Sequence, residues 1–137
     1  MFIAMKEIIF SGNLYALIIS NSFNKDGITF FTKDESSQQL AFMKHPKDKV
    51  IEPHFHNPIK RIIYDTQEVL YIKKGILKVD FYDSKKNVLG SEFLNEGDLI
   101  MLIRGGHGFS VIEDLEMIEI KQGPYLGDND KVRFNNN

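Results

Sequence analysis

Turn-forming residues interrupt this chain at short intervals, and this spacing constrains the fold more than any other feature. Polar turns such as Asn24-Lys25-Asp26-Gly27 and Asn95-Glu96-Gly97-Asp98 separate short runs rich in β-branched and aromatic residues. Such runs are typical of β-strands, and no convincing helix exceeds two turns. The sequence therefore predicts an all-β sandwich or barrel. The predicted strands include residues 15–20, 28–32, 39–44, 88–94 and 99–103, the last buried on both faces.

Two further regions each carry a turn signal between two apolar runs. Residues 68–72 predict a strong strand, and Lys73-Lys74-Gly75 then predicts the turn of a hairpin that continues through residues 76–82. Residues 109–112 and 115–120 likewise predict two separate strands.

Size and composition limit the class of protein. The 137 residues predict a single domain, and the net charge of -2 offers no sign of a nucleic-acid or membrane partner. The absence of cysteine excludes a disulfide framework and thiolate chemistry. The apolar start of the chain carries Lys6 and Glu7 and lacks a basic leader, so no signal peptide is expected. A cytoplasmic protein follows as the expectation.

Three of the four histidines fall into a pattern that suits a metal ion. His54 and His56 are two residues apart, so a β-strand would present both imidazoles on one face. Glu68 and His107 follow downstream, and imidazole and carboxylate are ligands for zinc, iron, nickel or manganese. If the sheet closes on itself, these four residues predict one divalent transition-metal site. The alternative for the histidine pair is an exposed strand face, and for Glu68 a solvated strand end.

The same residues resemble the two motifs of the cupin superfamily. The first is matched by His54-x-His56 and by Glu68 followed after six residues by Gly75, and the second by Gly97, Arg104-Gly105 and His107. The resemblance spans residues 50–120 and implies a jelly-roll-like β-barrel over residues 1–137, with the metal inside one end. The chain departs from the motifs at Asp48 and Ile103, where Gly and Pro are expected, and in the eleven residues between His56 and Glu68.

A smaller group of cupins from bacterial polysaccharide gene clusters is also similar, through stretches such as Thr66-Gln67-Glu68-Val69 and Gly105-Gly106-His107-Gly108-Phe109. This resemblance implies a context in nucleotide-sugar or glycan chemistry but no particular reaction. The function that we favour is a metal-dependent enzyme that acts on a small polar metabolite such as an activated sugar, by isomerase- or epimerase-like chemistry. A non-catalytic sugar-binding module and a metal-free nucleotide-sugar epimerase or ketoisomerase with histidine as base are the alternatives. Arg61 is a candidate ligand for an anionic substrate group, or else a solvated loop arginine.

Apolar side chains outside the motifs predict a homodimer. Phe55, Leu77, Val79 and Phe81 are expected to point out of the barrel and to need a cover. The apolar segments at residues 2–10 and 15–19 are expected to pair with a neighbour's sheet edge.

Overall fold

The computed structural model describes residues 4–135, and within them the chain is all-β. One short 3-10 helix, Gly127–Asp130, is the single helical element of the described chain, and it is too short to cross a membrane. The strands are β1 (Met5–Phe10), β2 (Asn13–Ile19), β3 (Gly27–Phe30), β4 (Ala41–Lys44), β5 (Glu68–Tyr82), β6 (Val88–Leu94), β7 (Leu99–Leu102) and β8 (Gly106–Lys121).

Six of these strands form one antiparallel sheet that curls into a half-barrel. Their order is β1-β2-β7-β5-β6, with β8 paired to β5 along nearly its whole length. The curl brings β1 and β6, the outermost strands of this order, close together. Lys6 of β1 forms an ion pair with Glu92 of β6. The ring of Phe10 likewise lies against Gly90. The predicted all-β fold class is confirmed, in the form of a strongly curled antiparallel sheet.

The concave side of the half-barrel holds the main hydrophobic core. Leu70, Leu77, Val79 and Phe81 of β5 are at most 1% exposed and pack with Ile100 of β7. The prediction that Leu77, Val79 and Phe81 point outward is therefore wrong. Alternation along a strand shows which residues share a face, but the neighbouring strands decide which face is buried.

The convex side carries a smaller core under a second sheet. Leu17, Val69 and Met101 are buried there, and Phe31 and Leu40 pack against them. Phe31 directly follows β3 and Leu40 directly precedes β4, and these two strands form a sheet of their own.

Strand β5 runs unbroken through the predicted hairpin turn. Gly75 has φ +92° and bends the strand where β5 and β8 lose their regular register. A Cβ at this position would overlap the backbone carbonyl of Asp114 in β8, so only glycine fits. The predicted turn is a bend within one strand, and residues 109–112 and 115–120 likewise belong to the single strand β8.

The N-terminal strands pair within their own chain. Strand β2 lies between β1 and β7, so both of its edges are occupied, which contradicts the expected pairing of residues 15–19 with a neighbour. Strand β1 also pairs with β2, while Phe2 and Ile3 lie outside the described residues.

Candidate functional site

Glu68 and His107 meet at one end of the half-barrel. Glu68 opens β5, where Leu102 of β7 pairs with it on one side and Lys121 of β8 on the other. His107 lies near the start of β8, opposite Phe81. The curl of the sheet places His107 Nε2 3.9 Å from Glu68 Oε2. This distance is longer than a hydrogen bond, so a third atom can engage both groups.

The glycines before His107 make the close turn that aims it. Gly105 has φ +78°, and a Cβ there would overlap the ring of Tyr15. The turn thus lies against Tyr15 of β2 and connects Leu102, the last residue of β7, to His107 in β8. The His107 ring then stacks on Phe109, with centroids 5.3 Å apart, which fixes its plane.

Burial sets the protonation of both groups. It lowers the pKa of His107 below the ordinary value of 6.5 and so favours the neutral imidazole, an effect that Glu119 partly opposes and Lys131 reinforces. Burial also raises the pKa of Glu68 above 4.5, and a hydrogen bond and charge repulsion from Glu119 add to the rise, whereas Lys121 and Lys131 oppose it. The contact therefore joins a neutral base to a carboxyl that holds its proton more tightly than usual.

A cavity of about 630 Å³ surrounds this pair. Lys121, Lys131 and Arg133 give its wall a cationic character, with Asp130 3.8 Å from the Lys121 ammonium group. Its aromatic lining comes from Tyr82 and Phe134, whose rings meet edge to face at 5.0 Å. A wall of this composition suits an anionic ligand that carries a ring.

Most residues of this wall were not among the predicted site residues. Lys131, Arg133 and Phe134 follow a stretch rich in Gly, Asp and Asn that reads as a loop after the last strand. The available signals were the alternation of Glu119 with Lys121 at the end of a strand, and the cluster of cationic and aromatic residues beyond it.

The other predicted site residues lie on an exposed segment. No strand or helix lies between Lys44 and Glu68, so the strand predicted to carry His54 and His56 is not formed within this chain. The two rings are 5.2 Å apart, and His54 Nδ1 lies 2.8 Å from the Glu52 carbonyl oxygen. Arg61 is exposed on the same segment and does not line the cavity.

The structure thus gathers two of the four predicted metal ligands. Across residues 4–135, no three His, Cys, Asp or Glu side chains of one chain are grouped so that they could hold a metal ion. Within the described part of one chain, Glu68 and His107 thus meet without the histidine pair.

Comparison with family models, with curated proteins and with solved structures finds no match for this chain.

Proposed function

We propose that this chain is a cupin-type barrel protein that binds a small anionic metabolite such as an activated sugar, and that Glu68 and His107 move a proton on it. One observation carries the proposal: a neutral imidazole lies 3.9 Å from a carboxyl group whose pKa is raised. Pairs of titratable groups whose surroundings shift their pKa values are typical of acid–base sites.

The chemistry that suits this pair is isomerisation next to a carbonyl group. His107 takes a proton from the carbon beside the carbonyl, and the electrons of the C–H bond pass to the carbonyl oxygen. Glu68, with its raised pKa, exchanges a proton with the same intermediate. The proton returns to the other face of that carbon, or to the neighbouring carbon, so no oxidant or reductant is consumed.

The cationic wall has two roles in this proposal. Lys121, beside Glu68 in the sheet, opposes the negative charge that develops on the substrate oxygen. Arg133 is suited to bidentate binding of a phosphate or carboxylate, and the rings of Tyr82 and Phe134 to stacking against a base or sugar.

Solvent exchange tests the proposal directly. The purified protein is incubated with dTDP- and UDP-sugars in deuterated water, and NMR follows the loss of a C–H signal and the appearance of isomer. We expect His107→Gln to lower turnover by about 10²–10⁴-fold and the exposed control Glu7→Gln to leave it unchanged. Binding without exchange would identify a non-catalytic module, and neither binding nor exchange across the panel would refute the proposal.

The four-residue metal centre is a second proposal, supported by the contact between two of its members, Glu68 and His107. Metal analysis of untagged protein, purified without added metal, tests it. We expect His56→Ala to lose a bound divalent metal and His45→Ala, at the base of the exposed segment, to keep it. Protein that binds no transition metal after zinc, iron, nickel and manganese have each been supplied would contradict this second proposal.

A further inference from the structure

An arm of the chain stands away from the barrel that it belongs to. Every residue from 46 to 66, which we call the arm, is exposed. Phe55 is 100% exposed and Tyr64 93%, and Val50 and Ile62 are 73% and 69% exposed. Exposure of several large apolar side chains to water is unfavourable, so a segment of this composition needs a surface that covers it.

Strand β8 is a surface that could cover such a segment, because one of its edges has no neighbour among the described strands. Among the described strands it pairs with β5 alone. Its barrel-side residues Phe109, Val111 and Met117 are at least partly exposed, as are Ile118 and Ile120 on the other face. A long strand with an open edge is a template for another strand.

The surface area shows how much cover is missing. The chain exposes 10397 Å², whereas a compact monomer of its mass would expose about 7,300 Å². The excess of about 3,000 Å² per chain exceeds the roughly 800 Å² per partner of an ordinary interface and reaches the range of obligate dimers.

We propose that the arm crosses to a second copy of this chain and adds as a strand to the open edge of that copy's β8, with the exchange made in both directions. The charges agree with this pairing. Strand β8 carries four acidic residues, Glu113, Asp114, Glu116 and Glu119, against Lys121, whereas the arm carries four basic residues against three acidic ones. Reciprocal exchange also closes the assembly as a two-fold dimer.

Pro53 sets which edge of residues 52–57, the stretch that ends before Pro58, faces β8. A proline has no N–H to donate, so it lies on the outer edge of an edge strand. The backbone of Glu52, His54 and His56 then faces β8, and their side chains share one side of the new strand. In the register that sets this part of the arm against the start of β8, His54 and His56 of the second copy would lie beside His107, and each site would then draw on both chains.

The oligomeric state is the first test. Light scattering on the full chain should give about twice the 15.8 kDa monomer mass. Phe55→Asp should raise the dimer dissociation constant at least about 30-fold. Phe55 touches nothing in the single chain, so circular dichroism should be unchanged. Phe30→Asp, at a phenylalanine 58% exposed on β3, is the matched control and should have no effect. A monomer at micromolar concentration, or a dimer insensitive to Phe55→Asp, overturns the proposal.

Cross-linking separates exchange between chains from closure of the arm on its own barrel. The chain has no cysteine, so Asn57→Cys in one preparation and Ser110→Cys in another supply unique sites in the arm and in β8. After the two are unfolded and refolded together, a short bismaleimide should join them into a covalent dimer. Glu7→Cys on β1 replaces Ser110→Cys in the control and should not react in this way. A double variant that carries both Asn57→Cys and Ser110→Cys tests the alternative. If the cross-link forms only within this double variant, in a product of monomer mass, the exchange is refuted.

Discussion

Substitution of Gly75 by alanine tests the bend that brings Glu68 and His107 together. Gly75 has φ +92°, a conformation that costs a residue with a side chain about 1–2 kcal/mol. The new Cβ would also overlap the backbone carbonyl of Asp114, which has no rotamer to escape into. Overpacking of this kind adds about 1–3 kcal/mol. The free energy of unfolding should therefore fall by about 2–5 kcal/mol.

Gly12→Ala is the matched control, because Gly12 has φ +76° but nothing within 4 Å of the added Cβ. It should cost only the backbone contribution of about 1–2 kcal/mol. Thermal unfolding separates the two variants, since each kcal/mol lowers the Tm of a chain of this size by roughly 3–5 °C. Equal losses for Gly75→Ala and Gly12→Ala would refute the claim that contact between β5 and β8 at the bend requires glycine.

Local signals sufficed where a strand and its turn are adjacent in sequence. Strand β6 spans the predicted residues 88–94, and β7 spans all but the last of residues 99–103. The turn between them depends on Gly97, at φ +85°, and on Asp98, whose carboxylate accepts hydrogen bonds from the backbone N–H groups of Asn21 and Asn95. Residue types that favour turns report such geometry directly.

The same signals failed where a distant partner decides the outcome. Lys73-Lys74-Gly75 has the composition of a turn, yet β5 continues through it because β8 pairs along both halves. The burial of Val79 likewise depends on the curl of the sheet, which the alternation along β5 does not contain.

Two of the four predicted metal ligands meet in the structure and two do not, again because the pairing of distant strands decides where they lie. Glu68 and His107 were selected by their order in the sequence, and the curl of the sheet brings them together. The strand parity of His54 and His56 assumed a neighbouring strand within the same chain. No described strand of this chain pairs with the arm that carries them. A pattern in one chain gives the face of a strand but not the chain on which its partner lies.

The remaining predictions concern protonation and the core. Because burial lowers the pKa of His107 from 6.5, the unfolded chain binds a proton that the folded chain resists, so stability should fall as pH drops below 6.5. Urea unfolding should show that His107→Gln flattens this slope, and an unchanged slope would contradict the assignment. Burial raises the pKa of Glu68, so its contribution runs the other way: stability falls as pH rises above 4.5, and Glu68→Gln should remove that decline. Leu77 is 0% exposed on the concave side of the sheet, so Leu77→Ala should cost about 2–5 kcal/mol in the same assay. Leu126→Ala, at a leucine 58% exposed, should stay within about 0.5 kcal/mol. A Leu77→Ala loss as small as that of Leu126→Ala would mean that β5 turns its other face to the core, and the placement of Glu68 beside His107 would fail with it.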